Sequence, residues 1–186
     1  MNLVELDIKQ IKKVYNERMV YDFPQNELRP LARIIGPLRQ GKYECFGLND
    51  GDNIIGYVYL AKQDNDYLVD YLAMYPKYRN KGLGGEMLCL LKEYLSGADN
   101  IILEVEDPDS FTDYEYKSVC QRRISFYIRN GFFNKGVNML CFDVPYLILS
   151  LGNKRRRTEE IEELYFKFYR MILPNDMFEK NIHKFK

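Results

Sequence analysis

Around residue 80 the hydrophobic pattern changes its period. Upstream lie three runs rich in β-branched and aromatic residues, 42–48, 53–61 and 67–75. They are separated by the turn sequences Asn49-Asp50-Gly51-Asp52 and Asp64-Asn65-Asp66. Strand-like runs joined by short Asn, Asp and Gly turns predict an antiparallel meander. Downstream, Met87, Leu88, Leu90, Leu91 and Leu95 recur at helical spacing over 86–95, and Gly97 is a helix stop. Between the two patterns stands Pro76-Lys77-Tyr78-Arg79-Asn80-Lys81-Gly82-Leu83-Gly84-Gly85.

The rest of the chain is built around this switch. A short strand over 3–6 precedes a helix from Asp7, where Asp7 and Gln10 have capping-box spacing and Ile8, Ile11, Val14 and Tyr15 form one apolar face. A second helix is expected from about Asn26, with Pro30 in its first turn and Gly36-Pro37 ending or kinking it. Residues 100–106 (NIILEVE) read as a central strand, 117–130 as a helix closed by Gly131, and 138–144 and 146–151 as strands divided at Pro145. An amphipathic helix over 158–173 starts at Thr158 and stops before Pro174. The predicted class is α+β, a mixed α/β layout with a mostly antiparallel central sheet and helices on its faces. Residues 1–151 make one domain, and 152–186 a C-terminal helical extension on or beside it.

Glycines at a strand-to-helix turn allow unusual backbone dihedrals and close approach to a ligand. The first N–H groups of the following helix are free, with the positive end of its dipole behind them. Such a turn suits a pyrophosphate, and Arg79 and Lys81 add charge. It is not a Walker A loop, because no Gly-Lys-Ser/Thr follows. It is not a dinucleotide fingerprint, because it follows a meander instead of opening a βαβ unit. Read alone, it could also be a tight turn that binds nothing.

Composition removes several alternatives. There are 27 basic and 27 acidic residues, so no global field points to nucleic acid or to a membrane surface. The longest basic run, Lys154-Arg155-Arg156-Arg157, is short and is expected to solvate the turn before the last helix. The only histidine is His183, on what reads as a frayed tail, so histidine-dependent hydrolase chemistry and a catalytic zinc centre are not expected. Cys45, Cys89, Cys120 and Cys141 show no ligand spacing and read as reduced thiols of a cytoplasmic protein. No segment has the apolar length of a membrane span, and the first residues do not read as a signal peptide.

Three motifs occur in a fixed order. Tyr71-Leu72-Ala73-Met74-Tyr75-Pro76-x-Tyr78-Arg79-x-Lys81-Gly82-Leu83-Gly84 comes first, Leu103-Glu104-Val105 second, and Arg123-Ile124-Ser125-Phe126-Tyr127-x-x-x-Gly131-Phe132 third. Together they resemble the GNAT superfamily of acetyl-CoA-dependent N-acetyltransferases. The resemblance covers the order of elements from about residue 3 to 151, and its specific motifs lie within 71–132.

The resemblance implies a sheet splayed at the strand before the glycine segment, where backbone groups of Leu72, Ala73 and Met74 pair with the pantetheine arm. It implies a pyrophosphate loop formed by Arg79, Asn80, Lys81, Gly82, Leu83, Gly84 and Gly85. Tyr127 matches the tyrosine that protonates the departing thiolate; otherwise it is a core residue beside Phe126 and Phe132. Glu104 matches a strand glutamate that serves some members as general base; otherwise it pairs with Arg122 or Arg123, and Glu106, Asp70 or a water held by Tyr71 compete for the role. The co-substrate is acetyl-CoA, no metal is needed, and the acceptor is a small-molecule or peptide amine. Glu104, Glu106, Asp107, Asp109, Asp113 and Glu115, uninterrupted by a basic residue, suggest a cationic acceptor; otherwise they are a solvated surface loop. Asp107-Pro108-Asp109 stands where many relatives carry an asparagine. The extension is a packing or homodimer element. Two other readings differ in class: a non-catalytic acyl-CoA sensor, and a nucleic-acid binder using the 154–157 run.

Overall fold

A computed structural model describes residues 1–51 and 53–185. Asp52, in the first predicted turn, lies outside the described residues. The chain forms two compact units, one of Met1–Asp64 with Val69–Ser96 and one of Asn65–Leu68 with Gly97–Lys186.

The first unit holds β1 (Asn2–Glu5), β2 (Tyr43–Asp50), β3 (Asn53–Gln63) and most of β4 (Asp66–Met74), in that order across the sheet. β1 and β3 both pair antiparallel with β2, with Leu3 opposite Leu48 and Phe46 opposite Val58. The three predicted runs therefore lie side by side in chain order, β2 antiparallel to β3. Helix α1 (Ile8–Val14) begins at the predicted capping box: Gln10 N–H donates to Asp7 at 2.7 Å and Asp7 N–H donates to Gln10 at 2.9 Å. Such a cap contributes about 1 kcal/mol. A π-helical segment, Tyr15–Met19, carries the helix into the short α2 (Val20–Asp22), and extended Phe23 before Pro24 ends it.

The second predicted helix starts later than expected. Helix α3 spans Ala32–Arg39, beginning after Pro30, because a residue before proline is steered out of the helical region. Pro37 lies inside α3 and does not end it. Helix α4 (Leu83–Tyr94) follows the glycine segment, with Met87, Leu88 and Leu91 buried. Met87 packs with Leu48, Ile55 and Met74, flanked by Leu72, Tyr78 and Leu83, so the helix is fixed against β4 by its apolar face.

The second unit orders its strands β5, β7, β6, β8. β5 (Asn100–Glu106) coincides with the predicted strand and pairs antiparallel with β7 (Val144–Leu151), Glu104 opposite Ile148. Helix α5 spans Tyr114–Arg129 and β6 spans Phe133–Cys141. The break between the last two predicted strands is not at Pro145. It is at Phe142-Asp143, which both take positive φ (49° and 63°) to turn β6 into β7. Pro145 sits within β7, beyond the last β5 partner, so its missing N–H forfeits no ladder bond to β5 there.

Helix α6 (Thr158–Ile172) buries Ile161, Leu164, Tyr165, Phe168, Tyr169 and Ile172 in the same unit. Thr158 does not cap it. Its hydroxyl donates to Lys135, and Glu160 instead accepts the Arg157 N–H at 2.8 Å. The tail forms helix α7 (Asn175–Asn181) and strand β8 (Ile182–Lys184), which pairs with β6 and carries His183 opposite Leu140. The expectation of a frayed tail is thereby corrected: Phe178 and Ile182 are buried and anchor it.

Candidate active site

In the first unit the site elements begin at β4. Met74 is buried, and Leu72 and Ala73 are half-buried. Gly56 of β3 lies against this segment so closely that a Cβ there would stand 2.7 Å from the Met74 sulfur and 3.1 Å from the Ala73 carbonyl oxygen. Beyond a single 3-10 turn, Pro76–Tyr78, the chain enters the glycine segment. Asn80 (φ 59°) and Gly82 (φ 79°) both adopt the left-handed conformation. Gly82 is the N-cap of α4 and offers no side chain to cap it. Nothing lies within 4 Å of where its Cβ would be, so glycine is favoured by the dihedral and not by crowding.

The first bonds of α4 run from the Gly85 and Glu86 N–H groups to the Gly82 carbonyl, at 3.0 and 3.3 Å. Helix geometry leaves the Leu83 and Gly84 N–H groups pointing beyond the helix end. Arg79, Asn80, Lys81 and Gly82 are exposed. The Lys77 and Lys81 ammonium groups lie 4.8 and 5.8 Å from the Tyr78 ring centroid. Free amides, a helix dipole and Lys81 side by side fit a pyrophosphate.

The Arg79 side chain is engaged elsewhere. Its Nε donates to the Met74 carbonyl at 2.9 Å, and its Nη2 pairs with Asp22 at 2.7 Å. Asp22 also receives Arg18 at 2.8 Å and the Tyr57 hydroxyl at 2.9 Å. Nothing in the sequence flagged Asp22, because no local pattern relates residues 57 positions apart. Asp70 is likewise engaged, by Arg29 at 2.8 Å and by the Tyr43 hydroxyl. Burial raises its pKa despite both partners. Tyr71 donates to the Glu27 carbonyl and accepts from the Arg29 N–H, both at 2.9 Å.

The second unit carries the other candidates. Tyr127, on α5, has ring contacts with Phe126 and Phe132 at 5.1 and 5.8 Å between centroids. Desolvation pushes its phenol up to about 12, with nearby Arg123 lowering it and Glu106 raising it. It is therefore protonated throughout the physiological range. Glu106 accepts from Arg123 at 2.5 Å and from the Tyr116 hydroxyl at 3.1 Å. Arg123 thus pairs with Glu106 and not with Glu104.

Glu104 accepts the hydroxyls of Tyr165, and of Tyr169 at 2.8 and 2.9 Å to its two oxygens. Both phenols come from α6, so the C-terminal extension supplies the partners of the strand glutamate. Their i,i+4 spacing put them on one helix face and was a readable signal, but it named no target. The acidic stretch is partly occupied by local work. Asp107 receives the Asp109 N–H and the Ser110 hydroxyl, and Asp113 caps α5 through the Tyr116 N–H. Asp109, Asp113 and Glu115 are exposed.

The basic run is mostly ion-paired at the surface. Lys154 pairs with Asp99, Arg156 with Asp66 at 2.7 Å, and Arg157 with Glu160 at 3.4 Å, leaving Arg155 at the surface. Among the described residues, no group of His, Cys, Asp and Glu could hold a metal ion, and no helix is long and apolar enough to cross a membrane.

Comparison with known proteins places this geometry in a family. Residues 41–133, half of the chain, match the acetyltransferase (GNAT) domain. No curated protein matches the chain. Among solved structures, a Bacteroides thetaiotaomicron protein described as a GNAT-family acetyltransferase is 26% identical, with a TM-score of 0.76 over 92% of this chain and 98% of that one. The Escherichia coli ribosomal-protein-S18-alanine N-acetyltransferase is 17% identical, with a TM-score of 0.61 over 83% and 95%. The Vibrio cholerae spermidine N-acetyltransferase, solved with CoA and spermine, is 15% identical, with a TM-score of 0.61 over 81% and 94%. The matched segment runs from β2 through the glycine turn to α5, and with it the chain belongs to the GNAT acetyltransferases, an acyltransferase family.

Proposed function

We propose that this enzyme moves an acetyl group from acetyl-CoA to a primary amine by direct attack in a ternary complex. The observation that carries this reading is the left-handed Gly82 cap with Lys81 alongside, at a helix start whose first two N–H groups have no intrahelical partner. In this reading the backbone of residues 79–85 takes the pyrophosphate, and backbone groups of Leu72, Ala73 and Met74 pair with the pantetheine arm. The bound co-substrate supplies an acetyl thioester. A neutral amine attacks its carbonyl carbon, the C–N bond forms, and the C–S bond breaks. Tyr127 gives its proton to the departing sulfur, a role suited to a phenol that stays protonated at neutral pH.

Glu104 is the base offered by the family resemblance, to receive the amine proton. Because Tyr165 and Tyr169 already donate into its carboxylate, they hold it in place, and the same geometry would serve a purely structural Glu104. The acceptor in this reading carries a second positive charge, supported by exposed Asp109 ahead of α5 and Asp113 and Glu115 at its start. Similar folds include enzymes named for spermidine and aminoglycoside acetylation. The alternative from another class is a chain that binds acyl-CoA without turnover.

Thermal unfolding with and without CoA tests the coenzyme part. A ligand specific for the native state stabilises by about 2.7 kcal/mol at a hundred times its Kd. An unchanged Tm at millimolar CoA or acetyl-CoA would remove the reading.

A further inference from the structure

Asp22 is oddly placed. It is the last residue of α2, where a negative charge meets the negative end of the helix dipole. Its side chain is only 3% exposed. A buried carboxylate there persists only if donors satisfy it, and three do: Arg18, Arg79 and the Tyr57 hydroxyl, at 2.7 to 2.9 Å. Arg18, in the π-helical segment just before α2, and Tyr57, in β3, fix where Asp22 stands. Arg79 comes from the start of the glycine segment.

Arg79 reaches two places at once. Nη2 takes Asp22, and Nε takes the carbonyl of Met74, the last residue of β4. One planar fork thereby ties the end of the strand, the entry to the glycine segment and the end of α2 to a single geometry. A lysine could not do this, since it offers a point charge and no rigid pair of donors.

We infer that Asp22 is a positioning residue for coenzyme binding: through Arg79 it sets the end of β4 relative to the glycine turn, and the Arg79 guanidinium stays on Asp22 and Met74 with the coenzyme bound. This rests on the coenzyme reading above. It departs from the usual expectation for a basic residue in such a loop, which is contact with phosphate. The two roles predict opposite outcomes. If Arg79 served phosphate, Asp22 would compete for it, and removing the carboxylate would tighten binding. If Arg79 is a clamp, removing the carboxylate loosens both halves of the coenzyme site together.

The test is calorimetric titration with CoA and with pantetheine, which lacks the phosphates, for wild type, Asp22→Asn, Arg79→Lys and the double variant, each shown folded by thermal melting. The side chain of Arg79 is 47% exposed, so Arg79→Lys keeps the proposal testable should Asp22→Asn not fold. Loss of a charge-assisted contact predicts about tenfold weaker binding in each single variant, the same factor for both ligands, and no further loss in the double. In turnover, KM for acetyl-CoA should rise by the same factor with kcat at saturation unchanged. Undiminished CoA affinity in Asp22→Asn, a loss confined to CoA in Arg79→Lys, or additive losses in the double would each overturn the inference. Wild type that binds neither ligand would instead overturn the coenzyme reading on which it stands.

Discussion

Gly82 permits the backbone and the charge of the coenzyme turn to be tested apart. Its φ of 79° costs an ordinary L-residue about 1–2 kcal/mol, with Asn and Asp the most tolerant. Space is not limiting, since nothing lies within 4 Å of a Cβ built there. Gly82→Asn and Gly82→Asp are nearly isosteric, so their stabilities should agree within about 0.5 kcal/mol, as expected for exposed substitutions. Their coenzyme affinities should not agree. A carboxylate ~5 Å from a doubly charged pyrophosphate, at an effective dielectric between ~40 and ~80, is repelled by about 1.7–3.3 kcal/mol. That predicts Gly82→Asp binding CoA roughly 15- to 250-fold more weakly than Gly82→Asn at low ionic strength, with the gap narrowing as salt is added. Calorimetric titration at two salt concentrations reads both quantities. Equal affinities in two folded variants would show that no phosphate sits at this turn.

Tyr127→Phe should leave CoA affinity intact and lower kcat by about 10²- to 10⁴-fold, and the wild-type kcat should show no alkaline decline from this phenol below its pKa of about 12. Wild-type kcat in the variant would make the hydroxyl structural. Tyr165→Phe and Tyr169→Phe each remove a donor to Glu104 and should lower stability by about 1.5–3 kcal/mol, read in denaturant melts; changes below about 0.5 kcal/mol would show that the carboxylate does not depend on them. Glu104→Gln separates the two roles of the glutamate, since a base predicts loss of kcat with its acidic limb and a structural residue predicts a Tm change alone. Replacing Asp107, Asp109 and Asp113 with Asn should lower kcat/KM for a diamine more than for a neutral amine and flatten its salt dependence, whereas equal losses would refute the cationic acceptor.

The readable parts of the fold were those written in local chemistry. The Asp7 and Gln10 cap, the Asp64-Asn65 turn, the 100–106 strand and the glycine turn are each set by residues within a few positions of one another, and each appears where its sequence put it. The unreadable parts depended on distant partners. Phe142 is no turn former, yet it holds positive φ because β6 and β7 pair across it. The tail residues 175–184 become helix and strand because Phe178 and Ile182 find a core and β6 offers an edge. Of the candidate site, the glycine turn was legible from its own residues, and Tyr127 enters only through the motif resemblance. The partners that decide what Arg79 and Glu104 can do, Asp22, Tyr165 and Tyr169, lie 57, 61 and 65 residues away and carry no motif of their own.

Turnover is read by release of free CoA from acetyl-CoA in the presence of a panel of primary amines, with the acetylated amine identified by mass. Stoichiometric thiol release is expected with at least one amine, greatest among those with a second positive charge, and is expected to be lost in Tyr127→Phe. Tight acetyl-CoA binding with no amine-dependent thiol release across polyamines, aminoglycosides, amino acids and peptide amines would contradict it and would make the chain an acyl-CoA-binding module.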